Sequence, residues 1–180
     1  MKINFVTGNN HKFQEVKKIM QSFNLNQIKG KKIEPKDKSV EEIASLNAES
    51  FFKNLKKPVI VDDTGIFFNA YQNFPGNHPK LMYKMLGFKG LLKLLKDEKR
   101  DAYFKTVAAY ADKEGVRLFE GKLRGKIARQ VFGKEKDVMP YEKIFKHKGK
   151  YLCELSREKK NKISHRAIAF GKLRDWLLKK

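Results

Sequence analysis

The sequence predicts an α/β domain around a mixed, twisted central sheet, and three observations carry that prediction. Short apolar runs of strand character alternate with stretches whose apolar residues recur at helical spacing. Two long strand-like runs flank Asp112-Lys113-Glu114-Gly115, a hairpin signal that makes part of the sheet antiparallel. The 180 residues are 41% hydrophobic, enough for a single domain with a real core in two lobes, residues 1–180.

The elements follow in order. Ile3 to Val6 reads as a short buried strand. His11 to Phe23 reads as a helix with Phe13, Val16, Met20 and Phe23 on one face, and Leu25 to Lys32 as a second strand. The stretch IEPKDKS is a loop; Ser39 with Glu42 then forms a capping box that starts a helix to about Leu55. Val59 to Val61 is the next buried strand, ending where Asp62-Asp63 turns the chain before a second apolar run. Pro75-Gly76 marks a loop, and two short helices near Leu81–Leu86 and Lys89–Leu95 break at Gly87. Tyr103 to Ala111 and Val116 to Lys126 are the hairpin strands. Residues 128–141 carry no clear pattern. Ser164 caps a final helix to Leu178, with Ala167, Ile168, Leu173 and Leu177 as its buried side. No repeat, low-complexity tract or linker interrupts this order.

The formal net charge of +21 favours polyanionic partners such as nucleotides or nucleic acid. The excess is mostly lysine spread along the whole chain, which equally describes a generally basic surface with no such partner. The one cysteine, Cys153, excludes an internal disulfide and fits a reducing, cytoplasmic setting. No apolar run nears the roughly 20 residues that span a bilayer, and MKINFVTGNN reads as a first strand rather than a secretory signal, so no membrane partner is expected.

Three segments carry candidate chemistry. In FVTGNNHK, Gly8 turns the chain from a strand into a helix beginning near Asn10. Backbone N–H groups at such a start hold phosphate oxygens, with hydrogen bonds from Thr7 and Asn9 and a charge from Lys12. The alternative is an ordinary strand–Gly–helix turn. Asp62 and Asp63, followed by Thr64, stand at a strand end, where carboxylates hold a hard cation such as Mg²⁺ or take a proton from water. Successive residues point to opposite faces, so one acid faces the site while the other caps the turn; an Asx-turn pair closing a loop is the alternative. In KKNKISHR, Lys160, His165 and Arg166 gather donors at a helix start, suited to an anion or a purine edge, or else form a basic, solvated loop. Jointly, phosphate-binding, metal-binding and base-reading residue types describe a nucleotide polyphosphate site.

The motifs TGNNHKFQEVKKI, KKPVIVDDTGIFFNAYQNFPG, DAYFKTVAAYADKEGVRLFEG and EKKNKISHRAIAF together resemble the Ham1-like inosine triphosphate pyrophosphatase family, its archaeal members above all, in order along nearly the whole chain. The resemblance implies Mg²⁺-dependent hydrolysis of ITP, dITP or XTP to the monophosphate and pyrophosphate, which removes faulty nucleotides from the pool. It implies an elongated two-lobed α/β fold with a cleft between the lobes, and a homodimer. By position, Thr7, Gly8, Asn9, Asn10, Lys12 and Thr64 would bind the substrate, with Lys12 and Asp63 catalytic and Asp63 the metal-linked general base. Lys160, His165 and Arg166 would contact phosphate and the 6-oxo purine edge, whose oxygen accepts hydrogen bonds where adenine's amino group donates. Two segments depart from the family pattern. Glu34-Pro35 stands in reversed order where a metal-binding Glu is usual, leaving Glu34, Asp62 or Asp37 to complete the metal set. In VMPYEKIF, Met139 replaces a stacking Phe and Glu142 replaces an Asp around Tyr141 of the base pocket. A substrate-shifted or weakened homologue that binds nucleotide or nucleic acid through its basic surface is the alternative.

Overall fold

A computed structural model describes residues 2–35 and 37–180. The chain runs β1 (Lys2–Val6), α1 (Asn10–Ile19), β2 (Asn24–Ile28), α2 (Val40–Leu55), β3 (Val59–Phe68), β4 (Pro75–Gly76), α3 (Pro79–Leu94), β5 (Asp101–Asp112), β6 (Gly115–Ile127), β7 (Phe145–His147), β8 (Lys150–Tyr151), α4 (Arg157–Ile163) and α5 (His165–Leu177). Short 3-10 turns cover Pro140–Lys143 and Leu152–Glu154. The strands form one mixed sheet in the order β2-β1-β3-β5-β6-β7-β8, with β4 paired to β3. β1 is parallel to β2 and β3, while β4, β7 and β8 join antiparallel. The expected α/β class with a mixed, twisted central sheet is what the chain adopts.

Contacts divide the chain into two compact units. The first comprises the chain up to Thr64 with Thr106–Lys122 and Asn161–Lys180. Its core follows the period-2 alternation of the strands. Ile3 and Phe5 of β1, Ile60 of β3 and Ala108 and Tyr110 of β5 pack with Phe13, Val16 and Ile19 of α1 and with Ala169, Phe170 and Leu173 of α5. Phe5 meets Phe170 edge-on with ring centroids 5.4 Å apart, the arrangement aromatic quadrupoles favour. Val59 and Val61 alternate to the opposite face and are also fully buried. The second unit, Gly65–Lys105 with Leu123–Lys160, has its own core, including Phe68, Leu91, Phe104, Ile127, Tyr141 and Phe145.

The capping box forms as the sequence predicts. The Glu42 N–H donates to Ser39 Oγ at 3.2 Å, and the Ser39 N–H donates back to Glu42 Oε2 at 2.9 Å. These bonds favour the ionised carboxylate and hold Glu42 down at about 2. Replacing Ser39 with Ala is expected to cost about 1 kcal/mol in denaturant unfolding. A carboxylate whose folded value is depressed adds stability above its ordinary range and loses it as pH falls toward the folded value. The stability gap between the protein and a Glu42→Gln variant is therefore constant above about pH 5 and closes toward pH 2, which thermal melts in an acid series would check.

The hairpin is also as expected, with the Glu114 N–H bonded to Asp112 Oδ1 at 2.9 Å and Gly115 at φ +112°. Gly87 breaks α3 with φ 58° and ψ −174°, a conformation that glycine alone adopts easily. Besides Pro75-Gly76, which pairs with β3 as β4 instead of lying in a loop, three expectations are corrected. First, α1 stops at Ile19, and Phe23 packs on the core from beyond the helix rather than from its last turn; β2 is correspondingly short and ends at Ile28. Second, the chain does not turn at Asp62-Asp63: β3 continues through both acids and Thr64 to Phe68. The strand tolerates them because cations from other elements balance the buried charge. Third, the stretch before Ser164 is not a loop but α4, a seven-residue helix with no apolar stripe. On α5, Ile168 is only half-buried, while Ala167, Leu173 and Leu177 are buried as expected.

Candidate functional site

The β1–α1 turn is built by short hydrogen bonds that the sequence itself supplies. Asn9 is the N-cap of α1, its Oδ1 accepting from the Lys12 N–H at 3.2 Å, and its own N–H donates to Thr7 Oγ1 at 3.2 Å. Thr7 and Asn9 thus shape the turn first of all. Gln27 on β2 fixes the same turn, donating to the Thr7 carbonyl at 3.1 Å and to Asn10 Oδ1 at 3.3 Å. Gly8 is exposed, and a Cβ there would meet nothing within 4 Å, so open space lies over the backbone at the start of α1. A helix start with open backbone accepts an anion.

Lys12 points from this turn to Asp62, its Nζ 2.9 Å from Oδ2. Asp62 is completely buried and sits on the β3 face that carries Ile60. Two more cations reach it: Lys32 Nζ lies 3.5 Å from Oδ1, and Arg166 Nε lies 3.6 Å from Oδ2. Burial pushes this carboxyl up, but Lys12, Lys32 and Arg166 together outweigh burial and hold it well below the usual carboxylate range. Lys32 is itself shifted down, chiefly by burial and further by Lys12, against the pull of Asp62.

Arg166, at the first turn of α5, is 1% exposed. Its Nη1 donates to Glu15 Oε2 of α1 at 2.7 Å, and Ser164 Oγ donates to Glu15 Oε1 at 2.9 Å while accepting the Ala167 N–H at 3.0 Å. Glu15 therefore offsets the cost of an arginine at the positive end of a helix. Thr64 closes the network, its hydroxyl 2.7 Å from that of Thr106 and 3.5 Å from Arg166 Nη2. His165 is buried beside Arg166 at the start of α5.

Asp63 lies on the opposite face of β3 and is only half-buried. Burial is the largest influence on it and, with the charge of Asp62, pushes its carboxyl up to about 6 against Lys12 and Lys32. Asp63 Oδ2 is buried and accepts no hydrogen bond among the described residues. A carboxylate oxygen left open in this way fits a hard cation, which would also keep the group ionised. Asp62 fits less well, because three cationic side chains already crowd it. Glu34 and Asp37 are exposed on the connection between β2 and α2. Among the described residues no three His, Cys, Asp or Glu side chains gather as a metal cluster. A bound cation would therefore take most of its ligands from substrate and water, the habit of Mg²⁺.

In the second unit, Lys160 Nζ forms an ion pair with Glu142 Oε2 at 2.7 Å. Tyr141 is buried, its ring edge-on to Phe68 and Tyr83, and Met139 precedes its 3-10 turn half-exposed.

Lys32, Glu15 and Thr106 belong to the Asp62 network and are not anticipated from sequence. Lys32 stands in a run of lysines that looks uniformly solvated, Glu15 on a helix face that looks merely charged, and Thr106 inside a hairpin strand. No local pattern marks any of them.

The model of the Ham1 family matches residues 3–176. The chain is 37% identical over 182 residues to the dITP/XTP pyrophosphatase of Saccharolobus solfataricus, covering 98% of this chain and 94% of that protein. It is 39% identical over 181 residues to the dITP/XTP pyrophosphatase of Methanosarcina mazei, covering 98% and 97%. Among solved structures, the Ham1 protein of Staphylococcus aureus matches with a TM-score of 0.72 at 26% identity, covering 99% of both chains. A Ham1 protein from Coxiella burnetii matches over 100% of both chains with a TM-score of 0.81 at 24% identity, a likeness of fold alone. A family model spanning almost every element, and relatives aligned from end to end, establish that this chain belongs to the Ham1 family.

Proposed function

We propose that the protein hydrolyses non-canonical purine nucleoside triphosphates, of the dITP and XTP class, to the monophosphate and pyrophosphate, with Mg²⁺ as the metal. The relatives named dITP/XTP pyrophosphatase support this reading, as does one structural observation. Lys12, on the open start of α1, shares one buried aspartate with Lys32 from the β2–α2 connection, while Asp63, next to that aspartate on β3, keeps an unbonded carboxylate oxygen.

In this reading the α1 backbone and Lys12 hold the triphosphate, with Thr7 and Asn9 fixing the turn that presents them. Asp63 would hold the cation, whose chemistry is to neutralise charge developing on the phosphates. Asp63 also accepts the proton of a water as its oxygen bonds to the α-phosphorus, and the bond from that phosphorus to the bridging oxygen breaks, releasing pyrophosphate. In this reading His165 is the donor at the start of α5 that favours an O6 acceptor over the amino group of adenine, while Arg166, bonded to Glu15, braces that turn.

A panel of dITP, XTP, ITP, ATP and GTP, assayed with Mg²⁺ and with a chelator, tests the assignment. The first three should yield monophosphate and pyrophosphate at least about tenfold faster than ATP, which carries an amino group where they carry O6; GTP, which shares O6, separates reading of that oxygen from reading of the 2-position, and chelation should stop the reaction. Release of inorganic phosphate instead would refute the chemistry, and turnover of ATP equal to that of ITP would refute base reading at α5.

A further inference from the structure

We propose that Lys32 is a positioning residue, the standing counter-ion of Asp62 that leaves Lys12 able to turn to the substrate's phosphates. The inference rests on the assignment of Lys12 to phosphate.

The two lysines approach different oxygens of one carboxylate. Lys12 holds Oδ2 at 2.9 Å, where Arg166 is second at 3.6 Å, and Lys32 stands 3.5 Å from Oδ1. Lys12 cannot serve a triphosphate and keep this contact in full. Once it leaves, a carboxylate with no solvent exposure loses its nearest cation, and a buried unbalanced charge is strongly unfavourable. Lys32 does not share that mobility. Its Nζ also donates to the Asp62 main-chain carbonyl at 2.6 Å. The backbone beside it is clamped to α2: the Ile33 N–H donates to Asn47 Oδ1 at 2.8 Å, and the Ile33 carbonyl accepts from Asn47 Nδ2 at 2.7 Å. Asn47 is itself buried. A lysine fixed at both ends is suited to hold a charge in place, whereas Lys12, on the first turn of α1 beside open space, is suited to exchange partners.

Kinetics of Lys32→Met and Lys32→Arg with dITP and Mg²⁺, with calorimetric binding of inorganic tripolyphosphate, test this. Lys32→Met should raise KM about tenfold with kcat within about twofold, and weaken tripolyphosphate binding by a similar factor. Lys32→Arg should restore most of both. In an Asp62→Asn background Lys32→Met should add nothing further, because the charge it balances is gone. An unchanged KM, or the same loss in both backgrounds, would overturn the proposal. Should Lys32→Met not fold, tripolyphosphate binding by Lys32→Gln decides on the same criteria. A wild-type protein that releases no pyrophosphate would refute the proposed reaction instead, and the tripolyphosphate arm would still judge Lys32.

Discussion

Asp63→Asn should lower turnover of dITP by about a thousandfold, the scale of a lost general base, while leaving the fold intact. The substitution keeps the size of the side chain and removes its charge. It breaks no hydrogen bond to Oδ2, which accepts none among the described residues. Its effect on stability has a sign that a structural residue would not show. Burial raises the Asp63 carboxyl to about 6, so the folded protein prefers the protonated form. The group therefore costs nothing below its ordinary range near 3.8, destabilises increasingly as pH rises to about 6, and levels off beyond. Asparagine lacks that penalty. In cation-free buffer at pH 8 the variant should melt no lower than the unsubstituted protein, and the two should converge below about pH 4. A variant that keeps a tenth of wild-type turnover, or that melts well below wild type at pH 8, would remove Asp63 from the chemistry.

The acid next to it obeys the opposite rule, and this contrast shows what local sequence can and cannot reveal. The Ser39 box, the hairpin turn, the Gly87 break and the Ser164 cap are all readable because each depends on residues within one turn of each other. The length of β3 is not readable. Two adjacent carboxylates argue for a turn, and the strand continues only because Lys12, Lys32 and Arg166, distant in sequence, converge on Asp62. Strand preference measures such tertiary surroundings more than any intrinsic bias. The same limit hides Lys32 and Glu15, whose roles exist only once α1, α5 and the β2–α2 connection are assembled. Arg166 is an intermediate case. Its position at a helix start is anomalous enough to single it out, but its immediate partners prove to be Glu15 and Asp62. α4 escapes notice because seven mostly charged residues carry no apolar period to detect.

Gly121→Ala should destabilise the protein by about 3 kcal/mol, a cost of forced overpacking, although it adds only a methyl group. A Cβ at this position of β6 would stand 2.1 Å from the His165 carbonyl oxygen and 2.6 Å from the Ala169 nitrogen. Both are backbone atoms of α5, so no side-chain rotation relieves the clash, and the helix must move away from the strand. Glycine is required here for close approach rather than for its conformational freedom. The displacement would also reach the site, since the turn pressed against Gly121 carries Arg166 and follows the Ser164 cap. Weaker substrate binding should therefore accompany a fall in melting temperature of about 6–12 °C. Gly171→Ala provides the control in the same helix. A Cβ there meets nothing within 4 Å, and alanine is the better helix former by about 1 kcal/mol, so this variant should melt at or above wild type. If both alanines behave alike, the close contact between β6 and α5 is not what seats the cationic start of that helix against Asp62.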